Sequence, residues 1–267
     1  MGLGDIIDEA IKLYRSHFKL FLTIGAVVYI PVGIIQTALQ LVLRDADIGA
    51  FALISIVSGF ITFFAYLALN GAMIFAASEA WHERSTTLGE AWTVGANFLL
   101  RTLGLGLLLF FALFGLSITV IGFPFAIYLF FAWVFSFVVL IVEGTGIRRS
   151  LGRSRELVSG YWWRVVGIAI LAAIIQAVIS GLFSLPGVIA GAGTMISDPN
   201  ADPSPLATIL SSVGSTIGQI VTLPIAYCAY ILLYYDQRIR KEGFDLELAA
   251  RQMEGSTVER PSLGTTF

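Results

Sequence analysis

Residues 102–142 read TLGLGLLLFFALFGLSITVIGFPFAIYLFFAWVFSFVVLIV, and none of these side chains is charged. A helix needs about 20 apolar residues to cross the roughly 30 Å hydrocarbon core of a bilayer. The run is therefore too long for one membrane span and long enough for two. Gly122-Phe123-Pro124 divides it near its centre, because proline fits the first turn of a helix far better than its interior. The stretch predicts two transmembrane helices joined by a short turn.

Four further stretches are also long and apolar enough to cross a membrane. The whole chain agrees with this, since 57% of its residues are apolar, 13% are charged and its mean hydropathy is +0.86. A soluble domain would have to cover that much apolar surface with polar side chains. We therefore predict an all-α, polytopic integral membrane protein with six transmembrane helices. The four further spans cover about residues 20–43, 48–78, 164–186 and 206–235.

The distribution of basic residues predicts the orientation of these spans. The two ends of the chain, together with residues 79–101 and 143–164, hold 15 of the 16 lysines and arginines, and the opposite set of loops holds only Arg44. Lysine and arginine near a membrane are retained in the cytoplasm. We therefore predict that both termini are cytoplasmic. The net charge of −2 gives no indication of a nucleic-acid partner.

A segment with one apolar and one charged face precedes each pair of spans. Leu-Gly opens all three segments, at Leu3-Gly4, Leu88-Gly89 and Leu151-Gly152. Helices of this kind lie in the plane of the membrane interface. We predict three copies of one unit, in which a cytoplasmic interfacial helix is followed by a transmembrane hairpin. The units form one domain over residues 1–254, and residues 255–267 are expected to be a disordered cytoplasmic tail.

Three stretches of the sequence resemble a known family. They are LGDIIDEAIKLYRSHF at residues 3–18, RSLGRSRELVSGYWW at residues 149–163 and YYDQRIRKEGFDLE at residues 234–247. They resemble the membrane domain of glycerophosphoryl diester phosphodiesterase and its stand-alone prokaryotic relatives. The resemblance implies a multi-pass protein of the prokaryotic plasma (inner) membrane. In fused relatives a catalytic barrel follows this domain, but no room for it remains after residue 248, so we expect no phosphodiesterase activity.

Five amide side chains fall within predicted spans. Amides at lipid depth face the interior of a helix bundle, where they find hydrogen-bond partners. They serve either ordinary helix packing or a polar cavity for a small polar or amphipathic substrate, and packing is the more common use. The candidate cavity residues are Gln36, Gln40, Asn70, Gln176 and Gln219.

A cluster of arginines surrounds the third amphipathic segment. Basic side chains near the membrane surface bind anionic lipid headgroups, with a contribution of about 1 kcal/mol per residue. We predict membrane lipids as partners and consider a membrane-protein partner as well. The candidate lipid contacts are Arg148, Arg149, Arg153, Arg155 and Arg164.

Other chemically capable residues favour structural roles. Glu79 and His82 have the Glu-x-x-His spacing of half a di-iron site, but a complete site requires a second copy and two more carboxylates. Cys228 lies within an apolar run without a neighbouring base that would activate it. We therefore predict no catalytic residues, no metal and no cofactor.

Small residues are spaced for close helix packing in the fifth and sixth spans. Gly187-x-x-x-Gly191 and Gly214-x-x-x-Gly218 allow two backbones to approach each other. We predict that these spans pack tightly near the outer side of the membrane. A re-entrant loop over residues 187–195 is the alternative.

The sequence favours a non-enzymatic membrane scaffold or accessory subunit that meets lipids and partner proteins at its cytoplasmic rim. The alternative is a transporter or carrier of a lipid or small amphipathic molecule, which the intramembrane amides and the proline-containing spans favour. Convergence of the five amides on one cavity would favour the carrier.

Overall fold

The computed structural model describes residues 2–43, 47–197 and 204–243, and every regular element within these ranges is an α-helix. The predicted tail at residues 255–267 lies outside the described residues. In chain order the helices are α1 (Leu3–Ser16), α2 (Phe18–Val42), α3 (Ile48–Trp81), α4 (Leu88–Asn97), α5 (Leu99–Ser117), α6 (Gly122–Ala132), α7 (Ser136–Val142), α8 (Ile147–Val158), α9 (Trp162–Ser197) and α10 (Pro205–Glu242).

Six helical segments of the described chain are long and apolar enough to cross a membrane, which confirms the predicted number of spans. The uncharged run at residues 102–142 does divide into two of them, one formed by α5 and one by α6 together with α7. The six segments are Phe18–Val42, Ile48–Trp81, Leu99–Ser117, Gly122–Val142, Trp162–Ala192 and Pro205–Glu242.

The fifth span is longer than predicted. Helix α9 continues past Pro186 to Ser197, so the predicted end at residue 186 and the alternative of a re-entrant loop over residues 187–195 are both wrong. Proline removes a backbone hydrogen bond and bends a helix, but a bent helix can continue where its packing compensates. Beyond Pro186 the helix packs directly on α10, where a Cβ at Gly187 would overlap the backbone of Ser211. We attribute the continuation of the helix to this packing.

The fourth span contains a break that we did not predict. Helix α6 ends at Ala132 and α7 begins at Ser136, and Ser154 of α8 lies against the gap. The Ser154 hydroxyl donates to the carbonyl oxygen of Ala132 at 2.9 Å and accepts from the N–H of Phe135 at 3.1 Å. Non-helical backbone at membrane depth requires such protein partners. One serine therefore satisfies both backbone groups next to the break.

Helix α10 is the centre of the packing and contacts α1, α2, α3, α8 and α9. Its C-terminal half contributes the fully buried Tyr234 and Tyr235 to the core. The hydroxyl of Tyr235 lies 2.8 Å from that of Ser78, and Asn70 donates to the hydroxyl of Tyr227 at 3.0 Å. The residue numbers differ by the same amount in both pairs. The two helices α3 and α10 therefore run parallel, with a constant register.

Helices α9 and α10 approach each other at backbone distance. A Cβ at Gly214 would overlap the carbonyl oxygen of Phe183, and a Cβ at Gly218 would lie 2.8 Å from the Cα of Ser180. Such contacts exist only where both surfaces are made of small residues. The tight packing predicted from the glycine spacing is therefore present.

Candidate intramembrane cavity and charged rim

A cavity of about 550 Å³ lies between α3, α5, α6, α7, α9 and α10. This volume is within the range of pockets that hold small organic molecules. The residues from the break in the fourth span, Trp133 and Val134, form part of its wall, so the break shapes the cavity. Most of the lining is aromatic or aliphatic. The complete lining comprises Phe63, Asn70, Ile74, Gly106, Leu109, Phe110, Leu113, Phe130, Trp133, Val134, Phe137, Val138, Gln176, Leu223, Ala226, Tyr227 and Tyr230.

Two of the five predicted amides line this cavity together. Asn70 uses its Nδ2 to donate to the Tyr227 hydroxyl, while its buried Oδ1 has no hydrogen-bond partner within the described chain. Gln176 of α9 is half-buried on the cavity wall. The structure therefore brings amides from the second and fifth spans to one place.

The other three amides lie elsewhere. Gln36 donates to the Thr62 hydroxyl at 3.1 Å, which joins α2 to α3 away from the cavity. Gln40 is exposed on α2 and Gln219 is half-buried on α10, and neither lines the cavity. Only part of the predicted set of amides therefore converges on the cavity. Gln36 has a role in helix packing, which was the alternative to a cavity.

Sequence reasoning missed the aromatic polar groups of the cavity. Tyr227, Tyr230 and Trp133 all line it. The first two are three residues apart on α10 and therefore share a helix face with Leu223. The sequence shows this spacing. Whether the two tyrosines face a cavity depends on which helices pack around them, and the sequence does not show that.

A group of ionic and hydrogen-bonded side chains, which we call the charged rim, joins the end of the fourth span to α8 and to the end of α10. Arg153 pairs with both Glu143 and Glu242, at 3.5 Å to Glu143. Partial burial lowers the pKa of Arg153, but the carboxylates of Glu242 and Glu143 outweigh this effect and the pKa is raised. Tyr234 donates to Glu143 at 2.7 Å, and Arg238 contacts Glu242 at 3.2 Å.

The rim continues to the start of α9. Asp236, whose side chain is 8% exposed, contacts Arg164 at 2.8 Å and Arg240 at 2.9 Å. Burying a carboxylate is costly unless charged partners and hydrogen bonds compensate for lost water. Asp236 therefore holds the beginning of α9 against the last turns of α10.

The five predicted lipid-contacting arginines divide into two groups. Arg153 and Arg164 belong to the charged rim and are bound to carboxylates of this chain. Arg148, Arg149 and Arg155 are exposed on α8, with no ion-pair partner among the residues described. The second group is the more exposed of the two and is not bound to a carboxylate of the described chain.

Glu79 and His82 have partners that fit structural roles. Glu79 contacts Arg84 at 3.5 Å, and the Nδ1 of His82 lies 2.7 Å from the carbonyl oxygen of Ser78. Cys228 is fully buried in the core. Across residues 2–43, 47–197 and 204–243, no three histidine, cysteine, aspartate or glutamate side chains are grouped closely enough to hold a metal ion.

Comparisons of the chain with models of protein families, with curated proteins and with solved structures gave no match.

Proposed function

We propose that this chain is a non-enzymatic integral membrane protein that binds a lipid or a small amphipathic molecule within the bilayer. The observation that carries the proposal is the 550 Å³ cavity, which combines an aromatic and aliphatic wall with the amide of Gln176. Pockets that bind small molecules have this composition, with a few polar groups in a mainly apolar lining. A polar side chain facing an intramembrane space is a marker of function.

The topology belongs to the same proposal. We propose three hairpins, each preceded by a cytoplasmic interfacial helix, with both termini in the cytoplasm of a prokaryotic cell. The order of elements supports this, since α1, α4 and α8 each precede two membrane-length segments. In α1 the apolar Ile6, Ala10 and Tyr14 are buried against other helices of the chain, while Asp5 and Lys12 are exposed. Burial also raises the pKa of Tyr14 to about 12, with Cys228 as a smaller cause.

The family resemblance is likewise proposed, and with it the plasma (inner) membrane as location. Its strongest segment, residues 234–247, includes Tyr234, Asp236, Arg238 and Glu242 of the charged rim. These side chains contact Glu143, Arg153 and Arg164, so the segment has a structural role in joining the helix ends.

Co-purification tests the cavity. Gly106 lines it from α5, and a Cβ there would have only one neighbour within 4 Å, the ring of Phe137 at 3.9 Å. The leucine side chain of Gly106→Leu therefore fills part of the cavity, and it does not clash with the backbone of another helix. We expect the wild-type protein, extracted in mild detergent, to retain an amphiphile enriched over bulk lipid, and Gly106→Leu to lose it. Mass spectrometry of organic extracts gives the measurement.

Gly115→Leu is the matched control for this experiment. Gly115 lies on the same helix, a Cβ added there would have no neighbour within 4 Å, and the residue does not line the cavity. We expect this variant to retain the amphiphile. Equal retention by Gly106→Leu and Gly115→Leu, or no enriched amphiphile in the wild type, would contradict the proposal.

A second function, contact with anionic lipids or a partner protein at the cytoplasmic surface, is favoured by the three exposed arginines of α8. Arg148, Arg149 and Arg155 lie close in sequence to Trp163, which is 80% exposed. Exposed arginine and tryptophan near a membrane surface anchor a protein at headgroup level. A scaffold or accessory subunit would use this surface.

Replacing all three arginines tests this second function. In vesicles containing phosphatidylglycerol, we expect Arg148→Gln/Arg149→Gln/Arg155→Gln to reduce the enrichment of anionic lipid around the protein. The loss should be below about 1 kcal/mol per arginine, because salt screens exposed charges. Lys12→Gln/Arg15→Gln/Lys19→Gln removes the same charge from exposed positions near the N-terminus. If both triple variants lose enrichment equally, α8 has no special role.

A further inference from the structure

We infer that the ligand of the cavity is an uncharged, single-chain amphiphile whose head carries a hydroxyl group. This inference rests on the proposed function, since it assigns a chemical class to the molecule that the cavity binds. Three properties of the cavity carry it: the absence of charge, the kind of polar groups in the lining and the volume of the space.

None of the residues that line the cavity in the described structure carries a charge. A phosphate, carboxylate or ammonium group in this space would lose its water without gaining a counter-ion. Such burial is strongly unfavourable in an apolar surrounding. The charged groups of the protein are gathered instead at the charged rim, where Arg153, Arg164 and Arg238 already contact carboxylates. The cavity therefore selects an uncharged head.

The polar groups of the wall match a hydroxyl group. The side chains of Gln176 and Tyr230 line the cavity and make no hydrogen bond with any described residue, and the same holds for the indole N–H of Trp133. An amide and a phenol each offer a donor and an acceptor, while an indole offers a donor only. A hydroxyl group both donates and accepts, so it can bond to any of these three. A head that only accepts, such as an ether, leaves the acceptors of Gln176 and Tyr230 unused.

The polar side chains of the lining lie between apolar ones along the parallel helices α3 and α10, since Ile74 also lines the cavity four residues beyond Asn70. Asn70 lies seven residues C-terminal to Phe63 on α3, and Tyr227 and Tyr230 lie C-terminal to Leu223 on α10. The hydrogen bond from Asn70 to Tyr227 places these C-terminal parts at one level. The head of the ligand therefore lies near the level of Asn70 and Tyr227, and its apolar chain contacts the aromatic and aliphatic residues beside this level.

The volume of the cavity fits one small molecule. A volume of about 550 Å³ is in the middle of the range of about 300–1,000 Å³ for sites of single small ligands. A long-chain or isoprenoid alcohol has the required chemistry, with one apolar chain and one hydroxyl. A phospholipid has a charged head and fails the first criterion.

Photo-crosslinking with matched probes tests the inference on the full chain in nanodiscs. The probes are a sixteen-carbon alcohol with a mid-chain diazirine, the corresponding fatty acid and the corresponding methyl ether. We expect the alcohol to label cavity peptides saturably and unlabelled alcohol to compete. The fatty acid, tested at about pH 10 where the free acid is ionised, should label at least about tenfold more weakly because it must either bury an unpaired charge or take up a proton. The ether should label about two- to tenfold more weakly because it cannot donate a hydrogen bond.

Variants in the cavity give the second readout. Gln176→Leu/Tyr230→Phe keeps the size of both side chains nearly unchanged, and we expect it to weaken labelling by the alcohol while leaving labelling by the ether closer to its wild-type level. Gly106→Leu should abolish labelling by all three probes. Its thermal unfolding in detergent, compared with that of Gly115→Leu, shows whether the fold is intact.

The outcomes separate this inference from the proposed function. If the carboxylate or the ether labels the cavity as strongly as the alcohol, or if Gln176→Leu/Tyr230→Phe changes nothing, the assignment of a hydroxyl head is wrong while the cavity remains a binding site. If no probe labels the cavity, the single-chain alcohol is excluded. The proposed function then depends on the co-purification result alone.

Discussion

Gly214→Ala is expected to lower the free energy of unfolding by about 3 kcal/mol, the upper end of the usual range for overpacking. The added methyl group would overlap the backbone carbonyl oxygen of Phe183, which cannot move aside as a flexible side chain can. Helices α9 and α10 would have to separate, and the side chains that contact each other across the two helices would move apart. Titration with SDS in mixed micelles, followed by circular dichroism, measures the change.

Gly181→Ala is the matched control, because Gly181 lies on α9 and an added Cβ would have no neighbour within 4 Å. We expect its stability to equal or slightly exceed that of the wild type, since alanine favours a helix over glycine. Equal stability of the two alanine variants would show that the backbone contact between α9 and α10 is not formed in the membrane.

Asp236→Ala is expected to destabilise the protein by about 3 kcal/mol, near the lower end of the range for breaking a buried ion pair. The Asp236 carboxylate contacts both Arg164 and Arg240, and its removal leaves two guanidinium groups facing each other across α9 and α10. The value lies at the lower end because the side chain of Arg164 is 20% exposed and that of Arg240 is 34% exposed, so water partly compensates. Mixed-micelle unfolding again provides the measurement.

Two controls accompany this variant. Glu9→Ala breaks an exposed pair with Lys12 and should cost less than about 1 kcal/mol. Arg164→Gln combined with Asp236→Ala should be less destabilising than the sum of the single changes, because either single change already removes the contact that the two residues share. Additive effects in this cycle would show that the two residues do not form a pair.

The spans could be predicted from the sequence because a transmembrane helix is a local property. The uncharged run at residues 102–142 has to cross a bilayer twice, whatever its neighbours are. Helix ends were less predictable where tertiary contact decides them. Pro186 predicts an end to the fifth span, but contact between Gly187 and Ser211 accompanies the continuation of α9.

The cavity could be predicted only in part. An amide within a span must find a partner or a polar space, and Asn70 and Gln176 were identified on that basis. The sequence does not say which helices are neighbours, so it could not separate them from Gln36, which contacts Thr62. The break at residues 133–135 was not predictable either, because it depends on a hydroxyl from Ser154 on another helix.

The proposed topology requires apolar helices that cross a bilayer in alternating directions, with the arginine-rich α8 on the cytoplasmic side. Cysteine labelling tests this arrangement, in a Cys228→Ala background that removes the native thiol. A membrane-impermeant maleimide is applied to intact spheroplasts carrying either Ser85→Cys or Asn200→Cys. We predict that the Asn200→Cys variant reacts at once and that the Ser85→Cys variant reacts only after the membrane is permeabilised. Reaction of both variants from the same side of intact cells would contradict the topology.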